Sequence, residues 1–197
     1  MILIGLTGGI GAGKSEVVRL LQTRGAEIVD ADVIVRELQQ PGTEVFEKIV
    51  ALFGNNVVDA NGQLDRNAIA TIVFNDEGKL KSLNGIVHPA AREAMNSKVE
   101  SFRSTNKVVI LDIPLLVENP REGLDGVLVV DLDTEIAISR LIEQRKMKPE
   151  DARARVAKQA TRDQRRAIAD HIIDNSGDRS ALGQQVDDAW SWIISLK

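Results

Sequence analysis

The residues with the clearest chemical potential form a glycine-rich run near the start of the chain. Residues 8–15 read GGIGAGKS, which satisfies the pattern G-x-x-x-x-G-K-[ST] at every required position. Glycines let the backbone turn tightly and expose successive N–H groups, a lysine placed like Lys14 reaches the β- and γ-phosphates of a nucleotide, and a hydroxyl placed like that of Ser15 ligates Mg²⁺. The run therefore predicts a site for nucleotide phosphates.

The segments on both sides of this run are those that such a loop needs. The apolar residues 2–6 are typical of a buried strand, and Val17, Leu20 and Leu21 follow at helical spacing. A strand, a glycine loop and a helix N-terminus together aim backbone N–H groups and the positive end of the helix dipole at an anion. This context favours the phosphate site over the alternative, a glycine-rich turn with a lysine after it.

Acidic residues follow the next predicted strands. Asp30 and Asp32 come after the second strand, and Asp112 ends the third. Ligands of open parallel sheets sit beyond the carboxyl ends of the strands, so these acids are expected to converge on one edge. Asp112 is a candidate for the Mg²⁺ shell, although a strand-end aspartate can also cap the next turn. Asp32 is suited to accept the proton of an attacking hydroxyl.

Basic residues are concentrated in one segment of an otherwise acidic chain. Residues 140–166 hold ten Lys or Arg against four Asp or Glu, whereas the whole chain carries a net charge of −4. The segment is either a solvated helical face or a cover that brings positive charge to bound phosphates. Arg140 is the stronger candidate for a phosphate contact, and Arg145 is explained equally well by a surface ion pair. The negative net charge argues against nonspecific binding of nucleic acid.

Length and composition describe one globular domain with small insertions. The 197 residues allow a single well-buried core, with 43% apolar and 27% charged residues. The lack of cysteine excludes disulfides and thiolate chemistry, and two histidines are too few for a histidine metal site. No run of eighteen apolar residues occurs and the first strand leads directly into the glycine loop, so we expect a cytoplasmic protein without membrane span or signal peptide.

Strand and helix signals alternate over most of the chain. Apolar runs predict further strands at 26–29, 107–112, 127–130 and 171–174, with helical periodicity between them. This alternation predicts an α/β sandwich with a parallel sheet. Between residues 43 and 105 helical patterns occur without a convincing strand run, which predicts a helical insertion.

Further short motifs extend along the chain in a fixed order. They are residues 5–15, 30–32 (DAD), 64–66 (LDR), 88–89 (HP) and 112–116 (DIPLL), the spacing of Arg140 and Arg145, Gln159, and the pairs 169–170 and 174–175. Together they resemble the dephospho-CoA kinase family over nearly the whole chain. That resemblance implies phosphorylation of the ribose 3′-hydroxyl of dephospho-CoA by ATP with Mg²⁺, the last step of coenzyme A synthesis. Val117, where the family usually has an aromatic residue, departs from the pattern and bears on packing beside the acceptor pocket.

The resemblance also implies a division of the chain into three parts. It implies the phosphate-loop NTPase fold, a three-layer α/β sandwich with a parallel sheet, in which residues 1–42, 106–136 and 168–197 form the nucleotide-binding core. Residues 43–105 are expected to bind the acceptor, dephospho-CoA, and residues 137–167 are expected to form a helical lid.

Individual roles follow from the resemblance as well. Asp32 matches the presumed base and acts with Lys14 and Arg140 in catalysis. The residues expected to bind ATP are Gly8, Gly9, Ile10, Gly11, Ala12, Gly13, Lys14, Ser15, Glu16, Arg140 and Asn175. Those expected at the acceptor are Asp32, Arg66, His88 and Asp112, and those expected at the metal are Ser15 and Asp112. The expected partners are ATP and dephospho-CoA, with no nucleic acid, no membrane and a monomeric protein.

Two other classes of nucleotide-binding protein fit the sequence less well. A GTPase switch needs a guanine-reading N-K-x-D element after a strand, and the chain has none. A nucleoside monophosphate kinase shares the core and the lid, but the arginine-rich site for a second phosphate is not evident between residues 43 and 105.

Overall fold

A five-stranded sheet organises the structure, a computed structural model that describes residues 1–177 and 179–196. Positions 178 and 197 of the predicted core segment 168–197 lie outside the described residues. The strands are β1 (Ile2–Gly8), β2 (Glu27–Asp30), β3 (Val108–Asp112), β4 (Gly126–Asp131) and β5 (His171–Asp174). Their order is β2-β3-β1-β4-β5, and β1 pairs in parallel with β3 and β4, as β4 does with β5. The predicted parallel α/β sheet is confirmed.

The described ranges contain nine α-helices, most of which begin after a side chain that caps them. They are α1 (Lys14–Thr23), α2 (Ala31–Leu38), α3 (Glu44–Phe53), α4 (Arg66–Phe74), α5 (Glu77–Glu100), α6 (Thr134–Arg145), α7 (Pro149–Ala157), α8 (Arg162–Ala167) and α9 (Arg179–Ser195). Side-chain oxygens that accept backbone N–H bonds at helix starts come from Asp30, Thr43, Asp65, Asp76, Asp133 and Thr161. No helix in the described ranges is long and apolar enough to cross a membrane.

The main core lies on one face of the sheet. Every residue of β1 is buried, and Ile4 and Leu6 are inaccessible to solvent. They pack in one cluster with Val17 and Leu21 of α1 and with side chains of α9 such as Val186. Because β1 lies between β3 and β4, the apolar runs that predicted these strands are explained by burial within the sheet.

The chain divides into two compact units, one of them helical. The helical unit spans residues 30–101, and the other comprises residues 1–29 and 102–197. Val45, Ile49, Val57, Ile69 and Val87 form the buried centre of the helical unit. Helix α2 belongs to this unit, since two of its side chains, Val35 and Leu38, pack against that centre. The unit therefore begins before residue 43, where periodicity first suggests an insertion.

Helix α5 continues through a proline. Pro89 lies inside its 24 residues. A proline within a helix meets the carbonyl of the residue four positions earlier and cannot donate to it. That residue is Gly85, and a Cβ built on it would meet no heavy atom within 4 Å outside the local helix backbone.

Candidate active site

The glycine run forms a tight loop between β1 and α1. Gly11 and Gly13 have φ values of 80° and 85°, and the N–H of Ala12 donates to the carbonyl of Gly9 at 3.0 Å. Gly13 is the residue before α1, so Lys14 and Ser15 lie in its first turn. The positive φ of Gly13 favours glycine over residues with a side chain. A Cβ built on Gly13 would also lie only 2.3 Å from the Nδ2 atom of Asn175, so there is no space for one.

Lys14 is bound to a carboxylate of the neighbouring strand. Its Nζ atom donates to both oxygens of Asp112, at 2.5 and 2.7 Å. Asp112 ends β3, pairs in register with Leu6 of β1 and is almost fully buried. The expectation that Asp112 lies at the same sheet edge as the loop is therefore met in the geometry, and its carboxylate forms an ion pair with the ammonium group of Lys14.

Asn175 supports the far end of the loop. Its buried side chain donates from Nδ2 to the carbonyl of Ala12 at 2.8 Å, and its own N–H donates to the carbonyl of Asp131 at 2.9 Å. The carbonyl of Asn175 accepts a hydrogen bond from Nη2 of Arg140, also at 2.9 Å. Asn175 and Arg140 are thus joined to each other and to the loop, and their predicted contacts with ATP stay predictions.

Helices of the predicted lid also pack on the loop. Ile10 lies against a small apolar cluster whose buried members are Ile138 and Leu141 of α6 and Ala152 of α7. The N–H of Ile10 donates to Oε1 of Gln159, which follows α7, at 2.8 Å. Gln159 belongs to the sequence motifs, but the sequence assigns it no role, and this contact gives it one: it holds a backbone N–H group of the loop.

A buried aspartate ties α8 to the sheet. Asp131 ends β4 and is 1% exposed, and it accepts hydrogen bonds from Arg162 at 2.8 to 3.1 Å and from Arg166 at 2.5 Å. Burial alone would raise the pKa of Asp131, but the hydrogen bonds from the two guanidinium groups outweigh it and hold the pKa below its ordinary value.

Sequence reasoning missed this cluster as a functional support. The available signals were an aspartate at the end of an apolar run and two arginines one helical turn apart, but neither shows which strand end the arginines meet. Arg145, in the last turn of α6, is exposed and forms no part of the cluster.

The remaining predicted site residues belong to the helical unit. Asp32 is exposed in the first turn of α2, where its N–H donates to Asp30 at 2.8 Å. Arg66 is the exposed first residue of α4, and Asp65 caps that helix by accepting from Asn67 and Ala68. His88 is exposed on α5 beside Pro89. All three side chains are open to solvent, and their roles at the acceptor and as base stay predictions.

Comparison with known proteins identifies a consistent set of relatives. The family model described as dephospho-CoA kinase matches residues 2–180. Dephospho-CoA kinase of Thermobifida fusca is 46% identical over 191 residues, covering 96% of this chain and 95% of the relative. That of Streptomyces avermitilis is 47% identical over 195 residues, covering 98% and 95%. The crystal structure of TT1252 from Thermus thermophilus superposes with a TM-score of 0.83 at 31% identity, covering 98% of this chain and 96% of that one.

Proposed function

Since the chain belongs to the dephospho-CoA kinase family, we propose that it transfers the γ-phosphoryl group of ATP to the ribose 3′-hydroxyl of dephospho-CoA. The products are ADP and coenzyme A, and the reaction is the last step of coenzyme A synthesis. The observation that carries the proposal is the glycine loop whose Lys14 meets a strand-end carboxylate at the edge of the sheet. A glycine loop with its lysine and an aspartate at the end of a nearby strand are parts that phosphate-loop enzymes use for phosphoryl transfer.

ATP binds in this proposal along residues 8–16. The phosphates are received by the N-terminus of α1 and by loop N–H groups other than those of Ile10 and Ala12, which donate to Gln159 and Gly9. The ammonium group of Lys14 can contact the phosphates as well as Asp112. Its positive charge can then stabilise the phosphoryl group that is transferred. Arg140 adds a cation beside Gly13, since its Nη1 atom lies 4.0 Å from the position of a Cβ on that glycine. Asn175 keeps the loop and Arg140 in this relation.

Ser15 and Asp112 fit a magnesium ion that is bound together with the nucleotide. Ser15 offers a hydroxyl and Asp112 a carboxylate. Mg²⁺ is usually held by one or two carboxylates together with water and substrate phosphates. The hydrogen bond from Lys14 indicates that the Asp112 carboxylate faces the loop. The ion would supply charge neutralisation at the β- and γ-phosphates.

The acceptor chemistry is assigned to the helical unit. Asp32 accepts the proton of the ribose 3′-hydroxyl as that oxygen attacks the γ-phosphorus and ADP leaves. Its side chain is exposed to solvent. Arg66 and His88 contact dephospho-CoA, to which Arg66 offers a permanent positive charge. We further propose a monomeric enzyme of the cytoplasm.

A coupled assay of ADP release tests the function. The wild-type protein is assayed with MgATP and each of dephospho-CoA, adenosine, AMP, shikimate and pantothenate. We expect turnover with dephospho-CoA to exceed that with every other acceptor by orders of magnitude, and the product to carry its new phosphate on the 3′-oxygen. Preferred turnover of AMP would instead indicate a nucleoside monophosphate kinase, and preferred turnover of shikimate a different small-molecule kinase.

A further inference from the structure

The three arginines of α8 differ in their partners. Arg162 and Arg166 are bound by the carboxylate of Asp131, and Arg162 also reaches Asp133 at 3.3 Å. Arg165 lies between them in the sequence, yet within the described ranges no carboxylate comes within ion-pair distance of its guanidinium group. Its hydrogen-bond partner is a neutral group, the carbonyl of Ala160, which accepts from Nη1. Asp131 and Glu118 attract the charge of Arg165 only from beyond ion-pair distance, so its guanidinium group can still pair with an external anion.

The guanidinium group of Arg165 lies directly on the phosphate loop. A Cβ built on Gly9 would be 2.8 Å from its Nη2 atom and 3.0 Å from its Cζ atom. Gly9 follows the last residue of β1, so this cation lies at the opposite end of the loop from Arg140, which lies beside Gly13. The side chain is half-buried, and burial lowers the pKa of Arg165. A guanidinium group that has lost part of its hydration gains more from a phosphate partner than an exposed one would.

Two anchors fix Arg165 in this position. On one side, Asp131 holds α8 to the end of β4 through Arg162 and Arg166. On the other, Gln159 accepts the hydrogen bond of Ile10, the residue after Gly9. A cation that is held beside the loop before the nucleotide arrives loses little conformational freedom on binding, which increases the net gain from the contact.

We propose that Arg165 is a phosphate-binding residue that donates hydrogen bonds from its guanidinium group to the β- and γ-phosphates of ATP. This rests on the proposed function for the identity of the nucleotide. Arg162 and Arg166 are positioning residues in this arrangement, since both bind the carboxylate of Asp131 and Asp133 supplies the second negative charge. The basic segment of the lid thus contains one further arginine for the phosphates at the Gly9 end of the loop, besides Arg140 at the other end.

Calorimetric titration with a nonhydrolysable ATP analogue, ADP and AMP, in the presence of Mg²⁺ and without acceptor, tests the proposal. Arg165→Gln should weaken binding of the ATP analogue roughly tenfold to a hundredfold, as expected for loss of a hydrogen bond to a charged group, and leave AMP unchanged. Arg165→Lys keeps the charge but not the planar guanidinium group. It should lose less affinity for the ATP analogue than Arg165→Gln does, and it should also bind AMP like the wild type. Arg153→Ala, which removes an exposed arginine paired with Glu135 on the same lid, serves as the control and should bind all three nucleotides like the wild type.

The outcomes separate this proposal from the function itself. Binding of the ATP analogue within about twofold of wild type in Arg165→Gln, or equal losses for AMP and the ATP analogue, would overturn the role of Arg165. If Arg165→Gln does not fold, as judged by circular dichroism, Arg165→Lys alone decides by the same comparison. If the wild type phosphorylates dephospho-CoA but Arg165→Gln binds ATP as tightly as the wild type does, only the role of Arg165 is refuted. If Arg165→Gln binds ATP more weakly but the wild type does not turn over dephospho-CoA, only the proposed function is refuted.

Discussion

Lys14 is held by Asp112 at the sheet edge where the sequence pattern predicts both residues. We expect Lys14→Ala to lower kcat at least a hundredfold, since loss of one charged contact to the transferring group in a dry site costs about 3 kcal/mol. It should also lower the free energy of unfolding, because the buried Asp112 carboxylate loses a cation at 2.5 Å. The measurements are coupled ADP release and urea unfolding.

A matched lysine distinguishes these effects from loss of charge in general. Lys48→Ala breaks an exposed i,i+4 pair with Glu44 in the helical unit. Such an exposed pair contributes little to stability, so both activity and stability should stay near the wild type. Turnover of a folded Lys14→Ala protein close to that of Lys48→Ala would contradict the assignment of the phosphate site.

Asp32 is the proposed catalytic base. Its side chain is exposed at the start of α2, so Asp32→Asn should leave the fold intact while removing a proton acceptor. We expect kcat to fall far more than KM for ATP rises, as for an interaction made in the transition state. Glu37→Gln, an exposed carboxylate of the same helix, should have neither effect. A kcat for Asp32→Asn within about threefold of wild type, under about 1 kcal/mol, would remove Asp32 as the base.

At the scale of elements, the attachment of α8 is expected to depend on pH. The pKa of Asp131 lies below its ordinary value in the folded protein, so the ionised carboxylate stabilises the fold above the pKa of the unfolded chain. That contribution is lost as pH falls through the lower, folded-state pKa. Asp131→Asn should therefore reduce the free energy of unfolding by roughly 1–3 kcal/mol at pH 7, a range discounted for the partial exposure of both arginines, and by less in strong acid.

Urea unfolding at pH 7 and pH 3 measures the difference. Asp187→Asn is the control, because Asp187 pairs with Arg24 but has a side chain that is 57% exposed. Its effect at pH 7 should stay below about 1 kcal/mol. Equal destabilisation by the two substitutions, or a loss for Asp131→Asn that does not shrink in acid, would mean that the ion pairs of Asp131 do not hold α8.

The strands and the loop could be predicted from the sequence because their signals are local. A run such as residues 108–111 is continuously apolar since the strand is buried within the sheet, and the glycine spacing of the loop follows from its backbone conformation. The continuous helix α5 is harder to predict, since an internal proline such as Pro89 normally ends or kinks a helix.

Contacts between distant segments could not be predicted in the same way. The sequence places Asp131 at a strand end and Arg162, Arg165 and Arg166 in a basic segment, but it does not say which arginines the aspartate binds. That sorting depends on how α8 lies against β4, and it decides which cation is left for a ligand. Likewise, Gln159 carries no chemical signal of its own until its amide oxygen meets the N–H of Ile10.

At the scale of the whole molecule, the α/β phosphate-loop fold is confirmed, and the chain combines a sheet-based unit with a helical one. Each unit has its own apolar centre, so a substitution on the surface of one is expected to leave the packing of the other unchanged. If the sheet-based unit binds ATP and the helical unit binds dephospho-CoA, single substitutions should change the two KM values separately.

Arg66→Ala tests this division of labour. Arg66 is exposed at the first position of α4, where the Asp65 cap fixes the helix start without it, so the substitution should not unfold the unit. We expect KM for dephospho-CoA to rise about tenfold or more, as for a lost charge-assisted hydrogen bond, with KM for ATP unchanged. Lys98→Ala, which removes a cation from the last turn of α5, is the control and should alter neither constant. A rise in KM for ATP, or no change in either KM, would exclude Arg66 from the acceptor site. A rise confined to dephospho-CoA would assign the acceptor to the helical unit on functional grounds that do not depend on resemblance.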